Sequence, residues 1–388
     1  MTQNSNYHNI LDSVEKYIRC EKYRGYDPFD ALSSPLFKLP LFCSNKTIRF
    51  GIQQVFKRIP FNLRPYLGIK KEINPVTIGL CIQSFSYVTK IYPEKKEQYL
   101  SEINRLLDIL VSLSSKGYCG YCWGYNFDWE SRYSKIARFL PTVVATGIIT
   151  NGLFEYFKIS QDLRIKELLT SSARFVLEDL NRSYEGDSFC FSYSPVDKQN
   201  VYNATMKGAR LLTQVYSITN NAEYVNHAEQ TVKYVINNQN LNGSWYYSKG
   251  DSRNWIDNFH TAYILDSLSE FISFSGLNQY KVHLDSGLDY YLKNLFTKDG
   301  KPKYYSNSFY PIDSTEIAQS IFTLTKFNRF EEAESVIRFG LDTLYSGKGY
   351  FYYQKRFLLN KISYMRWSNA WFYLALSYYL YRRANDLV

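Results

Sequence analysis

Several features that identify common classes of protein are missing from this chain of 388 residues. Residues 1–9 are polar and contain no apolar signal core, and the uncharged run at residues 139–154 is interrupted by Pro141 and Gly147. A run that short and polar does not span a bilayer comfortably. The sequence also lacks a phosphate-binding loop, a dinucleotide glycine fingerprint and a Gly-x-Ser-x-Gly elbow. We therefore expect a cytoplasmic protein and infer no cofactor.

Cysteine and histidine are scarce, which limits metal and redox chemistry. The six cysteines need not form a disulfide framework in so long a chain, and we expect reduced thiols. Cys119 and Cys122 have Cys-x-x-Cys spacing, but no second pair or nearby histidine completes a zinc site, and the first cysteine lies in a turn. We predict no metal site, and a divalent cation held by the many loop carboxylates stays an open alternative.

No run of lysine or arginine is present, yet the net charge is +10. This charge favours anionic partners such as a uronic acid, a phosphate or an anionic membrane surface. A basic proteome or simple solubility explains it equally well. Nucleic-acid binding has only the net charge in its favour, because no arginine–glycine segment or zinc-finger spacing accompanies it. We do not expect a nucleic-acid partner.

Aromatic residues are the component present in excess: 37 tyrosines, 26 phenylalanines and six tryptophans make up 18% of the chain. Buried aromatic side chains build a core. Tyrosine and tryptophan also line sugar-binding sites, because each has an apolar face and a polar edge.

A helix pair recurs along most of the chain. Five segments have apolar residues at helical spacing on one face and charge on the other, which predicts outer helices at residues 98–115, 163–180, 222–238, 280–296 and 330–345. Six more apolar helices are predicted to begin near Pro75, Thr142, Val201, Phe259, Asp313 and Trp367, which by subtraction are 67, 59, 58, 54 and 54 residues apart. This period predicts an all-α fold, an (α/α)6 toroid of six helical hairpins with inner and outer rings.

The turns between outer and inner helices repeat a glycine followed by aromatic residues, at residues 117–123, 186–193, 243–247, 300–305 and 347–353. Glycine permits the left-handed turn after a helix C-terminus. Residues 239–245 resemble the Gln-x-x-x-Gly-x-Trp turn of prenyltransferase and squalene-cyclase repeat proteins, which share the helical ring. The aspartate-rich motifs of terpene cyclases are missing, which argues against prenyl chemistry.

The first part of the chain differs from the repeats. We assign residues 1–70 to an N-terminal extension that packs on or closes the toroid, and residues 71–388 to the toroid as a single domain. Residues 33–69 are basic and rich in proline and aromatic residues, and residues 46–58 predict an amphipathic helix. That helix fits an anionic membrane surface or, alternatively, packs on the ring and closes the first hairpin.

Polar residues concentrate in the outer-to-inner loops, which gather at one mouth of a helical ring with the N-termini of the inner helices. The densest is residues 123–132, where Trp123, Tyr125 and Trp129 alternate with Asp128 and Arg132. Aromatic faces stack on sugar rings, and carboxylate and guanidinium groups bond hydroxyls or a uronate. The alternative is an aromatic plug closed by an Asp128–Arg132 ion pair.

Residues 249–261 form a second dense loop. It contains His260, the one histidine among several charged loop residues, with Asp257 three residues before it. This pair is a candidate general acid or base held by a carboxylate, and a structural histidine with one or two hydrogen bonds is the alternative. Arg253 and Trp255 of the same loop are predicted to bind substrate.

Other loops add fewer candidates. The further predicted substrate-binding residues are Tyr193, Trp245, Arg366 and Trp367, of which Arg366 is a candidate anion clamp at the start of the sixth inner helix. Asp313 and Glu316 fit a helix N-cap and its capping box better than a catalytic site.

The longer motifs resemble a known group of proteins. They lie at residues 25–30, 62–69, 74–75, 123–132, 243–245, 257–261 and 366–367. The set resembles the helical-toroid polysaccharide-biosynthesis proteins encoded in bacterial and archaeal surface-polysaccharide gene clusters. The resemblance implies a role in making or modifying an exopolysaccharide or capsule, without supplying a reaction. Its matching loop residues are Tyr125, Asp128, Trp129, Arg132, Asp257 and His260.

Three functions remain open from the sequence. The first is a glycan-active enzyme, an epimerase, lyase or hydrolase, in which His260 or Tyr125 moves a proton or Asp128 and Asp257 act as a carboxylate pair. The second is a non-catalytic module that binds a glycan, anionic or lipid-linked, with peripheral membrane contact through the basic N-terminal segment. The third, which has least support, is prenyl or lipid-linked chemistry.

Overall fold

The computed structural model describes residues 3–131, 135–250 and 252–386. Its helices are α1 (Gln3–Cys20), α2 (Pro40–Cys43), α3 (Lys46–Arg58), α4 (Pro75–Ile91), α5 (Lys96–Ser112), α6 (Val143–Ser160), α7 (Leu163–Arg174), α8 (Tyr202–Thr219), α9 (Ala222–Asn237), α10 (Asn258–Ser275), α11 (Lys281–Asn294), α12 (Ser314–Lys326), α13 (Phe330–Leu344) and α14 (Trp371–Asp386). Its short strands are β1 (Arg24–Gly25), β2 (Glu72–Ile73), β3 (Trp129–Glu130), β4 (Lys135–Ile136), β5 (Arg182–Glu185), β6 (Ser188–Phe191), β7 (Ile312–Asp313), β8 (Gln354–Lys355) and β9 (Leu359–Asn360).

Six helices form a closed inner ring. Helix α4 packs on α6, α6 on α8, α8 on α10, α10 on α12, α12 on α14, and α14 returns to α4. These helices are buried around most of their circumference, because the outer helices cover one face and the opposite side of the ring covers the other. The predicted all-α toroid is confirmed.

The outer ring covers this barrel and is amphipathic. Helices α5, α7, α9, α11 and α13 pack on α4, α6, α8, α10 and α12. The sixth outer position is taken by α1, whose residues Tyr7, Leu11 and Val14 are buried in the main core and which packs on α14. The first helix of the chain therefore lies against the last one. The division of the chain at residue 70 stays a prediction.

Polar side chains fix where the inner helices begin. The side chains of Asn74, Thr142, Asp257 and Asp313 accept hydrogen bonds from backbone N–H groups in the first turns of α4, α6, α10 and α12. Such caps satisfy donors that have no partner within the helix. All four caps lie at the end of the barrel that receives the outer-to-inner loops, which is the mouth of the toroid.

The strands belong to these same mouth loops. Strands β5 and β6 form a hairpin with Arg182 opposite Phe191, and β7, β8 and β9 form a small antiparallel sheet in that order. The N-terminal strand β1 pairs with β2, which precedes α4. The segment before α4 is thereby attached to the mouth.

Helix α3 lies on the mouth loops. The guanidinium of Arg49 pairs with the carboxylate of Glu130 at 2.7 Å, and the Gln53 side chain donates to the backbone oxygen of Phe29 at 3.1 Å. The predicted amphipathic helix at residues 46–58 is present with these bounds, and its inner side packs on β3. Within the described ranges, no helix is both long and apolar enough to cross a membrane.

Gly243 shows why the predicted glycine turns need that residue. Its φ is +88°, and a Cβ atom at this position would overlap the backbone oxygen of Ser286 on α11. Gly276, after α10, also has a positive φ of +74°, but a Cβ there would meet no atom within 4 Å. The two positions share a left-handed backbone conformation and differ in steric contact.

We expect Gly243→Ala to destabilise the protein more than Gly276→Ala. Each substitution places a Cβ in the left-handed region, at a cost of about 1–2 kcal/mol. At Gly243 the contact with Ser286 adds about 1–3 kcal/mol, as overpacking does. The free energy of unfolding from urea denaturation measures the difference. Equal losses in the two variants would contradict the role assigned to the close approach.

Candidate active site

A cavity of about 280 Å³ opens at the mouth, where the inner helices begin. It is lined by 21 residues, of which 13 are aromatic: Phe29, Tyr125, Phe127, Trp129, Tyr193, Tyr247, Trp255, Phe259, Tyr263, Tyr304, Tyr305, Trp367 and Trp371. The other lining residues are Lys57, Val144, Ile148, Asn203, Asp257, His260, Thr315 and Arg366. The composition combines flat apolar surfaces with a few polar groups, as small-molecule and sugar sites do.

The floor of this cavity is closed. Ile148, Tyr263 and Trp371 separate it from a much smaller space of about 20 Å³ deeper in the barrel. Around that space, Arg210 donates to the backbone oxygen of Gly147 at 2.9 Å, and the Gln319 amide donates to Asp266 at 2.7 Å. The cavity is therefore a blind pocket, and a ligand enters it from the mouth.

His260 and Asp257 form an acid–base pair in the wall. The Nδ1 atom of His260 lies 2.6 Å from Oδ2 of Asp257, and the other oxygen of Asp257 accepts the backbone N–H of His260 at 2.9 Å. The indole N–H of Trp255 also donates to Oδ2 at 3.1 Å. A carboxylate at Nδ1 holds the tautomer in which Nδ1 is protonated and Nε2 carries the free lone pair.

The surroundings of the pair direct Nε2 to the cavity. The Asp257 side chain is 2% exposed and that of His260 is 24% exposed, so the ring alone reaches the open space. Tyr247 contacts the ring edge to face, with centroids 4.7 Å apart. Among the described residues, Nε2 has no hydrogen-bond partner. His260 is thus arranged to accept a proton from a ligand.

Tyrosine hydroxyls in the cavity are poor bases at neutral pH. Burial raises the pKa of Tyr125 above its ordinary value, against the opposing effects of Arg366 and Tyr193. Burial also raises the pKa values of Tyr193, Tyr263 and Tyr304 well above 10. Neutral phenols donate hydrogen bonds and protons, so these groups complement the histidine.

Arg366 lines the cavity but its charge is already neutralised. Its Nε and Nη2 atoms donate to the two oxygens of Asp27 at 2.6 and 2.9 Å, and both side chains are buried. The guanidinium lies 4.9 Å from the ring centroid of Tyr125 and 5.0 Å from that of Trp367. The sequence prediction of an anion clamp overlooked Asp27, which takes the bidentate position that a ligand carboxylate would need.

Lys57 supplies the other lining cation. Its Nζ lies 4.6 Å from the ring centroid of Phe29, and no carboxylate of the described chain lies within ion-pairing distance. Burial lowers its pKa to about 8 against the opposing charge of Asp313, and the nearby charges of Arg58 and Arg356 lower it further. A ligand anion near this ammonium would compensate its burial.

Two buried donors at the cavity have no partner among the residues that the structure describes. They are Nδ2 of Asn203, at the start of α8, and Nε1 of Trp129 on β3. An unpaired buried donor costs about 1–3 kcal/mol, which a ligand oxygen would recover. These two groups therefore favour a hydroxyl-rich ligand over a hydrocarbon.

Eight of the sequence-predicted site residues line the cavity: Tyr125, Trp129, Tyr193, Trp255, Asp257, His260, Arg366 and Trp367. Asp128 does not; its Oδ1 accepts the backbone N–H of Arg138 at 2.7 Å. Arg132 lies outside the described residues. The structure therefore brings Asp257 and His260 together and leaves Asp128 apart from them.

Three further predicted residues also lie away from the cavity lining. Trp123 and Trp245 are buried in the core, where their indole N–H groups donate to the backbone oxygens of Leu110 and Val235. The glycine–aromatic turns that suggested them thus attach each loop to an outer helix. Arg253 is buried beside Gln199, to which it donates at 2.8 Å.

Sequence reasoning missed the N-terminal contribution. Phe29 and Lys57 enter the cavity wall from the segment that precedes the repeats. The sequence feature that could have indicated this contribution is the polar–aromatic motif that contains Asp27 and Asp30. In the structure, Asp27 pairs with Arg366 and Asp30 pairs with Arg64.

The acidic residues at the start of α12 do not act as a pair of catalytic carboxylates in the described lining. Asp313 caps α12 as predicted, and burial raises the pKa of Glu316 well above its ordinary value. Across the described ranges, no group of three or more His, Cys, Asp or Glu side chains is placed to hold a metal ion.

Solved structures with this architecture support the fold assignment. Cellobiose 2-epimerase from Bacillus thermoamylovorans aligns over 81% of this chain and 90% of its own, with a TM-score of 0.64 and 11% identity. A glycoside hydrolase family 76 mannosidase from Bacteroides thetaiotaomicron aligns over 99% and 100%, with a TM-score of 0.62 and 10% identity. The chain is an (α/α)6 toroid.

A D-mannose isomerase is similar to the same extent, with a TM-score of 0.59 and 13% identity over 80% of this chain and 87% of that one. No protein-family profile and no curated protein sequence matches the chain. At these identities the likeness shows the fold, and the chemistry has to be argued from the cavity itself.

We expect Asp27→Asn to destabilise the protein by about 3–5 kcal/mol, because it leaves the Arg366 guanidinium buried without a counter-charge. The double variant Asp27→Asn/Arg366→Met removes both charges and is expected to recover a large part of that loss. Urea denaturation of the wild type, both single variants and the double variant measures the coupling. Additive losses in the double variant would show that the pair does not act as a unit.

Proposed function

We propose that this protein is a carbohydrate epimerase or isomerase, in which His260 transfers a proton at a sugar carbon next to a carbonyl group. The observation that carries the proposal is the pairing of His260 with the buried Asp257 at a blind, aromatic cavity. A histidine whose Nδ1 is held by a carboxylate presents the lone pair of Nε2 to the cavity, which suits general acid–base catalysis.

The carboxylates of the cavity favour proton transfer over hydrolysis. Glycoside hydrolysis generally needs two carboxyl groups on either side of the bond that is cleaved. Within the described lining, Asp257 is the one carboxylate, and it is committed to His260, Trp255 and the cap of α10. The pair Asp128 and Asp257, which the sequence suggested for hydrolysis, does not share the cavity.

The proposed reaction starts from an open-chain sugar. Nε2 of His260 removes the proton from the carbon next to the carbonyl group, the C–H electron pair forms a carbon–carbon double bond, and the carbonyl oxygen becomes an enediolate oxyanion. Neutral tyrosines such as Tyr125 and Tyr263 donate hydrogen bonds to that oxyanion. Return of the proton to the same carbon on the other face, with re-formation of the original carbonyl group, gives the epimer. Its return to the former carbonyl carbon, with transfer of the neighbouring hydroxyl proton to the oxyanion, forms a carbonyl group at the neighbouring carbon and gives the isomer.

The substrate class follows from the lining. Aromatic faces such as Trp129 and Trp367 suit pyranose rings, and the donors of Asn203 and Trp129 suit their hydroxyl groups. An oligosaccharide is favoured over a monosaccharide by the breadth of this aromatic wall, and Lys57 favours a substrate with an anionic group. The cellobiose 2-epimerase and the D-mannose isomerase among the similar structures are both named for sugar substrates.

The biological setting that we propose is surface-polysaccharide biosynthesis or modification. Its support is the resemblance of residues 25–30, 62–69 and 123–132 to proteins encoded in such gene clusters. A non-catalytic glycan-binding module would need the same kind of cavity. A measurement of product formation therefore distinguishes an enzyme from such a module. Prenyl chemistry is disfavoured, because His260, Asp257 and Asn203 place polar groups in the cavity wall.

We expect His260→Ala to lower kcat by about 10²–10⁴-fold, as loss of a general base does, while the substrate Kd changes little. Asp257→Asn is expected to lower kcat by a similar factor, because an amide no longer holds the Nδ1–H tautomer. Asparagine can still cap the N-terminus of α10, so this variant removes the negative charge while it keeps the helix cap. Incubation with reducing disaccharides in D₂O, followed by NMR, measures deuterium incorporation next to the carbonyl carbon.

Asp128→Asn serves as the matched control, because this carboxylate lies off the cavity, and it is expected to retain activity. Release of monosaccharides without deuterium incorporation would refute the proposed proton transfer and would support glycoside hydrolysis instead. Calorimetric binding of a disaccharide without product from any variant would instead support the glycan-binding module.

We expect binding of an oligosaccharide with a terminal uronate to weaken as the pH rises from 7 to 9. The pKa of Lys57 is lowered to about 8 by burial, so the ammonium is mostly charged at pH 7 and mostly neutral at pH 9. Loss of that charge raises Kd by up to roughly tenfold over this range. Isothermal titration calorimetry at three pH values measures the change.

The Lys57→Arg variant keeps its charge throughout this range and is expected to bind the uronate with little pH dependence. A neutral oligosaccharide of the same length is the ligand control. The same weakening in Lys57→Arg would assign the pH dependence to another group and remove Lys57 from the anion site.

A further inference from the structure

Exposed apolar side chains are concentrated in one short part of the chain. The described residues include 17 large hydrophobic side chains that are exposed, and eight of them lie between residues 36 and 66. They are Leu36, Leu39, Leu41, Ile48, Val55, Phe61, Leu63 and Tyr66. Single exposed hydrophobic residues are ordinary, but a contiguous group marks an interaction surface.

A hairpin from the other end of the chain continues this surface. The turn between β8 and β9 exposes Phe357 and Leu358, and the Asn360 amide donates to the backbone oxygen of Ile59 at 3.1 Å. That bond fixes the hairpin beside the C-terminal end of α3. Phe61 is 73% exposed and Phe357 is 97% exposed, so both rings extend into solvent from neighbouring segments. We call residues 36–66 and 355–358 together the apolar–basic surface.

The charge of this surface has one sign. Residues 36–66 contain six lysines and arginines and no aspartate or glutamate. Arg49 and Arg64 are paired with Glu130 and Asp30, and Lys57 lines the cavity, whereas Lys46 and Arg58 are exposed. The hairpin adds Lys355 and Arg356. On α3, Ile48, Val55 and Arg58 lie three or seven residues apart on the outward side, so apolar and cationic groups alternate on one helix face. Cations among exposed hydrophobic residues are typical of helices that bind anionic membranes.

The inner side of α3 holds this surface in place. Arg49 pairs with Glu130 at 2.7 Å, and Phe56 is buried against Ala31 and Ile69. Lys57, on the same helix, lines the cavity. The apolar–basic surface therefore adjoins the mouth through which the ligand enters.

We propose that the apolar–basic surface binds an anionic lipid bilayer, with Leu41, Phe61 and Phe357 inserted among the lipids and the cations against their phosphates. A second copy of the chain is a poorer occupant, because two surfaces of the same positive charge repel each other. A bound bilayer would place the cavity mouth near the membrane, within reach of a glycan attached to a lipid. The proposal does not depend on the reaction assigned to His260.

Vesicle sedimentation of the full chain tests this. The probes are vesicles of phosphatidylcholine alone and vesicles with an equal amount of phosphatidylglycerol. We expect the wild type to sediment with the anionic vesicles, and Phe61→Ser/Phe357→Ser to lower its partition coefficient tenfold or more. Leu163→Ser/Val282→Ser is the matched control: it removes two exposed hydrophobic side chains from the first turns of α7 and α11, at the opposite end of the barrel, and is expected to bind as the wild type does.

Phe61→Trp gives a second measurement that keeps the surface apolar. Lipids brominated on the acyl chain are expected to quench the fluorescence that this tryptophan adds, which requires insertion. Failure of the wild type to sediment with anionic vesicles at low salt would overturn the proposal. Equal binding by Phe61→Ser/Phe357→Ser would also overturn it, because charge alone would then suffice. A dimer that dissociates in this variant by light scattering would assign the surface to a second copy.

Discussion

The ion pair between Arg366 and Asp27 joins the two ends of the chain at the wall of the cavity. Arg366 precedes the last inner helix, and Asp27 lies 339 residues earlier in the segment that precedes the first. With both side chains buried, neither charge is tolerable without the other. The pair therefore fixes the N-terminal segment, and with it Phe29 and Lys57, over a mouth that the ring alone would leave wider.

The different roles of the charged residues at the mouth follow from this ion pair. Arg366 is neutralised by Asp27 and contributes a flat cation between Tyr125 and Trp367, whereas Lys57 keeps a charge for a ligand. Asp257 is in turn committed to His260. Within the described lining, Asp257 and Arg366 therefore have separate partners and Lys57 stays available to a ligand, so the base and the anion site do not compete for the same groups.

Periodicity was sufficient to predict the ring, because a helix pair of nearly constant length leaves few other ways to bury six apolar helices. It also predicted that the loops before the inner helices meet at one end of the barrel, and eight of the candidate residues in those loops line the cavity. It did not distinguish Trp129, which faces the cavity, from Trp123, which packs in the core six residues earlier. That difference depends on whether the indole N–H reaches a backbone oxygen of an outer helix, as that of Trp123 reaches Leu110, and a repeat pattern contains no such information.

Contacts between distant parts of the sequence explain the residues that were missed. Asp27 and Lys57 act on partners that lie beyond the middle of the chain or in another loop, and no local spacing connects them. The same holds for Asp128: its neighbours in sequence suggested a catalytic carboxylate, whereas the turn that contains it uses the carboxylate to bind a backbone N–H group.

The packing of α1 on α14 has a consequence for synthesis on the ribosome. The barrel closes only when its last helix reaches both α4 and α1, so the final tertiary contacts join residues far apart in sequence. Until then, the apolar sides of α4 and α1 lack their partner and are exposed in the nascent chain. A chain that emerges slowly would present these surfaces to chaperones for most of its translation, and the packing of α14 on α1 and α4 then converts an open helical array into a closed ring.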